Sequence, residues 1–324
     1  MVKRALLVGI DLYPDPRNNL NSCIADTLAF RDILMAAYGV PQGDITLLHN
    51  QAATLDNVRN ALDVMLNGVR DGEKVVYFES SHGYRYPKGD TMVEVLCLYD
   101  AFLEDTELVS RSQAAPADCL TVITDACHSG GLNKLFFPPT GASVARAKVW
   151  QPPEDRAAID VATARQVSAF KFFGRAATGE VGAIAKEFSE SIITNKDFVP
   201  PTKDLGAGQL ELNGLLFAAC RADQTAAAGS PSTNNLSAFT YGLQQELNAG
   251  GGSVAVRTLN DRVGTRLAAL NMSQQPVVVA PLAHQGELDE TLITYGAAAG
   301  TTTTVPGGGS FDSFLQALGI GTGT

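Results

Sequence analysis

Thr121-Val122-Ile123-Thr124-Asp125-Ala126-Cys127-His128-Ser129-Gly130-Gly131 runs from β-branched residues into a thiol, an imidazole and two glycines. A buried strand that ends this way sets a cysteine where backbone can approach a ligand closely. Open α/β sheets carry their chemistry at the carboxyl ends of their strands. A cysteine attacks as its thiolate, and a free pKa of about 8.5 leaves it weak at neutral pH without a base or a positive field. Lys74-Val75-Val76-Tyr77-Phe78-Glu79, running into Ser80-Ser81-His82-Gly83, offers that base in His82 at a second strand end, 45 residues before Cys127. If the two strands are neighbours, both side chains emerge on one sheet edge. The backbone amides of Gly83 and Cys127 could then donate to an acyl-transfer oxyanion.

Such a pair has to be positioned by a sheet, and the chain supplies one. Buried strands are expected at Ala5–Ile10, Asp44–His49, Lys74–Glu79, Cys119–Thr124, Gly214–Cys220 and Pro276–Ala280, with Val93–Tyr99 a further strand or hairpin arm. Helices are expected from near Ile24 to Gly39, after the N-cap Thr54, from Ser237 to Leu247 and from about Thr258 to Leu270. Alternation of strand and helix predicts an α/β fold with right-handed crossovers and a mainly parallel sheet of roughly six strands flanked by helices. Asp100, Glu104, Asp105 and Glu107 read as a solvated acidic loop.

A composition of 45% hydrophobic and 18% charged residues, with net charge -10, describes a globular chain and argues against nucleic-acid or anionic-membrane partners. No apolar run reaches the ~18 residues of a membrane span. Asp11 interrupts the opening apolar run too early for a signal peptide. Cys23, Cys97, Cys119, Cys127 and Cys220 are odd in number and widely spaced, which predicts a reducing compartment, the cytoplasm. Monomers are expected. Cys97, Cys119 and Cys220 read as core thiols; His49 and His284 have no partner in sequence; His128 points away from Cys127 and supports its loop. No Gly-x-Gly-x-x-Gly or Gly-Lys-Ser/Thr loop follows Ile10, which argues against a nucleotide-binding domain.

The Ser80–Gly83 and Asp125–Gly131 segments together resemble the paired histidine and cysteine motifs of caspase-like cysteine peptidases, in the metacaspase and bacterial orthocaspase branch. The 45-residue interval checks that likeness and does not derive it, because the caspase signature already carries a separation of about 50 residues. The resemblance implies a caspase-like fold with residues 1–133 as a large-subunit-like part, 134–204 as a linker and 205–285 as a small-subunit-like part, together one peptidase domain of residues 1–285. A low-complexity tail, 286–324, follows. Phe217–Ala226 and Phe239-Thr240-Tyr241 are the most similar stretches of the small part.

Specificity follows from charge. Asp125 lies on the same side of an extended strand as Cys127, and a carboxylate at the pocket wall favours a guanidinium or ammonium. The resemblance adds Asp26, Ser80 and Cys23 to that pocket, although packing alone would also account for Cys23. Cleavage after Arg and Lys is expected, in protein or peptide substrates, with no cofactor required. Calcium, bound by many relatives, would have Asp90, Asp100, Glu104, Asp105 and Glu107 as weak candidates. Arg146, Lys148, Arg156, Arg165, Lys171, Arg175, Lys186, Lys196 and Lys203 make the linker open to self-cleavage, though basic residues also simply occur in loops. Two departures stand out: Ser81 and Ser22 occupy places where the family has Gly, and either could alter its loop. Ser81 is the one hint of the alternative reading, an inactive caspase-like scaffold that binds partner proteins.

Overall fold

The structure, a computed structural model, describes residues 3–88, 91–127, 145–152, 169–172, 175–176, 211–221 and 224–293. His128 to Gly131, Asp90, Arg156, Arg165, Lys186, Lys196, Lys203 and the tail from residue 294 lie outside the described residues.

In chain order the elements are β1 (Lys3–Gly9), α1 (Cys23–Tyr38), β2 (Ile45–His49), α2 (Leu55–Leu66), β3 (Lys74–Ser80), β4 (His82–Lys88), β5 (Thr91–Cys97), β6 (Phe102–Glu104) and α3 (Asp105–Ser112). There follow β7 (Leu120–Asp125), β8 (Ala169–Phe172), β9 (Arg175–Ala176), β10 (Leu215–Ala218), α4 (Ala238–Gly250), α5 (Val256–Ala269) and β11 (Val277–Val279). The main sheet has six strands in the order β11-β10-β7-β3-β1-β2, parallel except for β11. β3 and β7 are neighbours, Val75 opposite Leu120 and Ser80 opposite Asp125, so their carboxyl ends are level.

The central strands read as unbroken apolar runs because helices cover both faces. On one face α2 buries Val58, Leu62, Met65 and Leu66 against Leu6, Val8, Val75 and Tyr77. On the other, Phe30 of α1 stacks on Phe78 at 4.7 Å and Phe239 of α4 meets Phe217 edge-on at 5.1 Å. Gly39, in the left-handed region at φ 60°, ends α1. The Thr54 hydroxyl accepts from Asn57 N–H to start α2. The Asp11 carboxylate, leaving β1, accepts from the amides of Cys23 and Ile24 at 2.8 and 3.2 Å, where a helix N-terminus favours an anion.

Three expectations need correction. His82 does not end β3 but opens β4, which pairs antiparallel with β5 as a hairpin that β6 extends. The acidic stretch is not a solvated loop: β6 and α3 form there, with Glu107 paired to Arg59 and Arg111 and Asp105 buried. Ion pairs to Glu107 from the distant Arg59 and from Arg111 one turn on, together with burial of Leu108 and Val109, hold this segment. His49 and His284 have partners after all, the Thr27 hydroxyl at 2.8 Å and the Asp118 carboxylate at 2.9 Å.

Candidate active site

The level ends of β3 and β7 bring Ser80–Gly83 and Asp125–Cys127 together, and the loops after β1 and β10 close the edge. His82 is fully buried. Its Nε2 donates to the Asn18 carbonyl at 2.7 Å, its backbone N–H donates to the Tyr13 hydroxyl at 3.1 Å, and Nδ1 has no hydrogen-bond partner among the described residues. A ring held by Nε2–H keeps its lone pair on Nδ1. Burial pushes its pKa down to about 4, against the pull of the Asn18 and Lys148 carbonyls. The imidazole is therefore neutral at pH 7.

Cys127 is also buried, and its thiol donates to the Gln224 carbonyl at 2.9 Å. Cys220 lies next to it, with Sγ 3.6 Å from the same carbonyl. Gly83 packs against Cys127 so closely that a Cβ there would strike the Cys127 carbonyl oxygen. This is a requirement for close approach, not for unusual φ. Ser81 and Ser22 need no positive φ either. The Ser81 hydroxyl donates to Glu79 at 2.7 Å, and the Ser22 hydroxyl accepts from the Gly229 amide at 2.9 Å. Serine at these two positions is therefore accommodated by hydrogen bonds, and the loops keep ordinary backbone.

The predicted pocket residues converge, and one of the chain's own cations fills the space between them. Lys148 is fully buried. Its ammonium lies 2.9 Å from Asp125 Oδ1 and 3.4 Å from Asp26 Oδ2, and donates at 2.8 Å to both the Ser80 hydroxyl and the Asp125 carbonyl. Burial would depress the ammonium's pKa, but Asp125, Cys23 and Asp26 outweigh it and hold the charge. Burial pushes Asp26 up to about 6, partly offset by Lys148. Cys23 is buried close enough to Lys148 and Ser80 to feel both, which puts it at the pocket wall.

Residues remote in sequence complete the pocket. The Ser237 amide and hydroxyl donate to Asp26 at 2.8 and 2.5 Å, and those of Thr240 to Asp125 at 3.2 and 2.7 Å. Sequence reasoning missed Asn18, Tyr13, Ser237 and Thr240, because Asn18 acts through its backbone carbonyl, Tyr13 reaches the His82 amide from a distant loop, and the other two lie more than a hundred residues from the carboxylates they orient.

Residues 146–151 cross the site in extended form. Ala147 forms an antiparallel bridge with Ala227, and Val149 a parallel bridge with Gly83. Lys148 N–H donates to the Ala226 carbonyl at 3.0 Å, and the Ala228 amide to the Arg146 carbonyl at 2.7 Å. The Gly83 amide donates to the Lys148 carbonyl, and the Trp150 amide to the Gly83 carbonyl, both at 3.1 Å. Beyond them the Asn18 side chain grips the Gln151 backbone at both N–H and C=O. This is the strand addition by which extended peptides are recognised.

Of the calcium candidates, Asp100 accepts from the Leu55 amide, Glu104 pairs with Lys88, and Glu107 with two arginines. Asp105 is buried, within electrostatic reach of Glu94, whose two buried carboxylate oxygens have no hydrogen-bond partner among the described residues. Burial pushes Glu94 well above the carboxylate range. Arg85, opposite Glu94 in the hairpin, offsets part of that rise.

An α/β sheet presenting a cysteine and a histidine at adjacent strand ends, with an acidic pocket beside them, is the architecture of a caspase-like cysteine peptidase. The caspase-domain model matches residues 2–285, and the chain belongs to that family of cysteine peptidases. It is similar to metacaspase-9 of Arabidopsis thaliana, 27% identical over 311 residues that cover 85% of this chain and 93% of that protein. It is also similar to metacaspase-1 of Meyerozyma guilliermondii, 26% identical over 262 residues, 74% of this chain and 60% of that one. A solved structure from Geobacter sulfurreducens shares the fold, with a TM-score of 0.61, 21% identity and coverage of 91% and 99%. No described helix is long and apolar enough to cross a membrane.

Proposed function

We propose that the chain is an endopeptidase cutting after Lys and Arg through a Cys127–His82 dyad, made as a zymogen whose own Lys148–Val149 bond is the first substrate. The observation that carries this reading is the buried Lys148 ammonium between Asp125 and Asp26, with its carbonyl on the Gly83 amide. A lysine loses rotamer freedom and hydration on burial, and only paired charges make that tolerable. A segment bound on both sides of one peptide bond, with a charge-matched side chain in the pocket, is bound as a substrate is.

In this reading the thiol proton, resting toward Gln224, passes to His82 Nδ1. The thiolate bonds to the Lys148 carbonyl carbon, and the Gly83 and Cys127 amides receive the oxyanion. Collapse breaks the C–N bond while the imidazolium protonates the Val149 nitrogen. Water, deprotonated by His82, then hydrolyses the thioester and returns the thiol. Where calcium takes part, Glu94 and Asp105 would hold it, neutralising a buried pair near the cysteine without touching the reacting atoms. The test is a panel of fluorogenic peptides with Arg, Lys, Asp or Leu before the scissile bond, with and without calcium. Cleavage of Arg and Lys peptides alone, lost in Cys127→Ala, is the expected result. A protein that cuts none of them and still binds caspase-type partners would be the scaffold instead.

A further inference from the structure

Beyond the scissile bond, the chain's single tryptophan occupies a compartment built of aromatic rings. Trp150 stands two residues past Lys148. Its ring meets Tyr13 edge-on at 5.2 Å, Phe102 at 5.8 Å and His82 at 6.2 Å, with interplanar angles of 69°, 86° and 77°. These are separations and tilts at which aromatic pairs attract. The ring is partly buried against the main core. Its backbone is fixed in register by the bond from its amide to the Gly83 carbonyl, the same residue whose amide holds the Lys148 carbonyl. The compartment therefore lies at a set distance from the bond to be cut.

The walls come from elements that do not depend on the linker. Tyr13 is anchored by donating to the Cys97 carbonyl at 3.0 Å, and Phe102 of β6 is packed by Tyr84 and Tyr86 at 6.1 and 6.3 Å. When residues 149–151 leave after the cut, these rings remain as an apolar pocket beside the histidine. We propose that this pocket is a specificity subsite for an aromatic side chain two residues beyond the scissile bond, so that preferred substrates carry Lys or Arg, any residue, then Trp, Phe or Tyr. The inference rests on the reading of Lys148–Val149 as the bond presented to Cys127. It adds a primed-side requirement that the charge of the pocket cannot supply.

Internally quenched peptides that differ only at this position, Lys-Val-Trp, Lys-Val-Phe, Lys-Val-Ala and Lys-Val-Asp, test it on the full, self-processed chain. Packing against three rings predicts a kcat/KM about 10-fold higher for the Trp peptide than for the Ala peptide. Phe102→Ala should narrow that ratio to below about threefold, the loss of one wall. Because a retained linker could fill the pocket, the ratio is also measured in Trp150→Ala enzyme, where the linker has no aromatic to offer. Equal kcat/KM for the Trp and Ala peptides in Trp150→Ala enzyme, or a Trp preference unchanged by Phe102→Ala, would overturn the subsite. If none of the peptides is cut, it is the lysine-cutting reading that fails.

Discussion

At the scale of single residues, the account turns on charge in a dry pocket. Removing one partner from a buried ion pair leaves the other uncompensated, which costs about 3–5 kcal/mol. Asp125→Asn, made in a Cys127→Ala chain so that nothing is cut, should lower stability in urea unfolding by about that amount. In the active chain the same change should cut turnover of Lys and Arg peptides by about 100-fold or more. The pH dependence has a definite sign. His82 must be neutral to accept the thiol proton, and in the closed chain burial holds its pKa near 4. Self-cleavage should then persist to about pH 5 and fail only below, whereas an exposed histidine would lose it near 6.5. Rates of self-cleavage between pH 4 and 8, read by intact mass, distinguish the two. Cys127, His82 and Asp125 were legible because reactive and acidic types stand at the ends of recognisable strands, whereas Asp26 and Ser80 entered only through the resemblance to caspase-like peptidases. Lys148 was visible only as one of nine basic linker residues, since nothing in its neighbours marks which of them enters the pocket.

At the scale of elements, the central strands and the four longer helices were readable from apolar runs, helical spacing and caps. One arm of the hairpin, β5, was readable in Val93–Tyr99; β4 and α3 were not. β4 sets Tyr84 and Tyr86 against the core, but Arg85 and Lys88 among them mask the apolar alternation, and α3 is held in part by Arg59 and Arg111 on Glu107. The hairpin matters because Gly83 belongs to it and meets Cys127 backbone to backbone. Gly83→Ala adds a methyl where the Cys127 carbonyl already stands. Overpacking of this kind typically costs about 1–3 kcal/mol. The variant should unfold earlier in urea and lose most peptide cleavage, because the shift falls on the two amides assigned to the oxyanion. Wild-type turnover in a folded Gly83→Ala protein would remove Gly83 from the site.

At the scale of the whole molecule, a cut after Lys148 would not release a piece. β10 lies after the linker in sequence, yet it sits between β7 and β11 inside the sheet, parallel to β7 from Leu215 opposite Thr121 to Ala218 opposite Thr124. Ser237 and Thr240, also from the later part, orient the two pocket carboxylates. A chain severed after Lys148 should therefore elute as one particle in size-exclusion chromatography and separate only in denaturant. Fragments that part under native conditions would contradict that arrangement. The most direct test of the central claim is the N-terminal sequence of the fragment that appears when pure wild-type protein is incubated. The account predicts a new terminus beginning Val149-Trp150-Gln151, absent from Cys127→Ala and displaced or lost in Lys148→Ala. A first cut after an acidic residue, or the same Val149 terminus in Cys127→Ala, would contradict it.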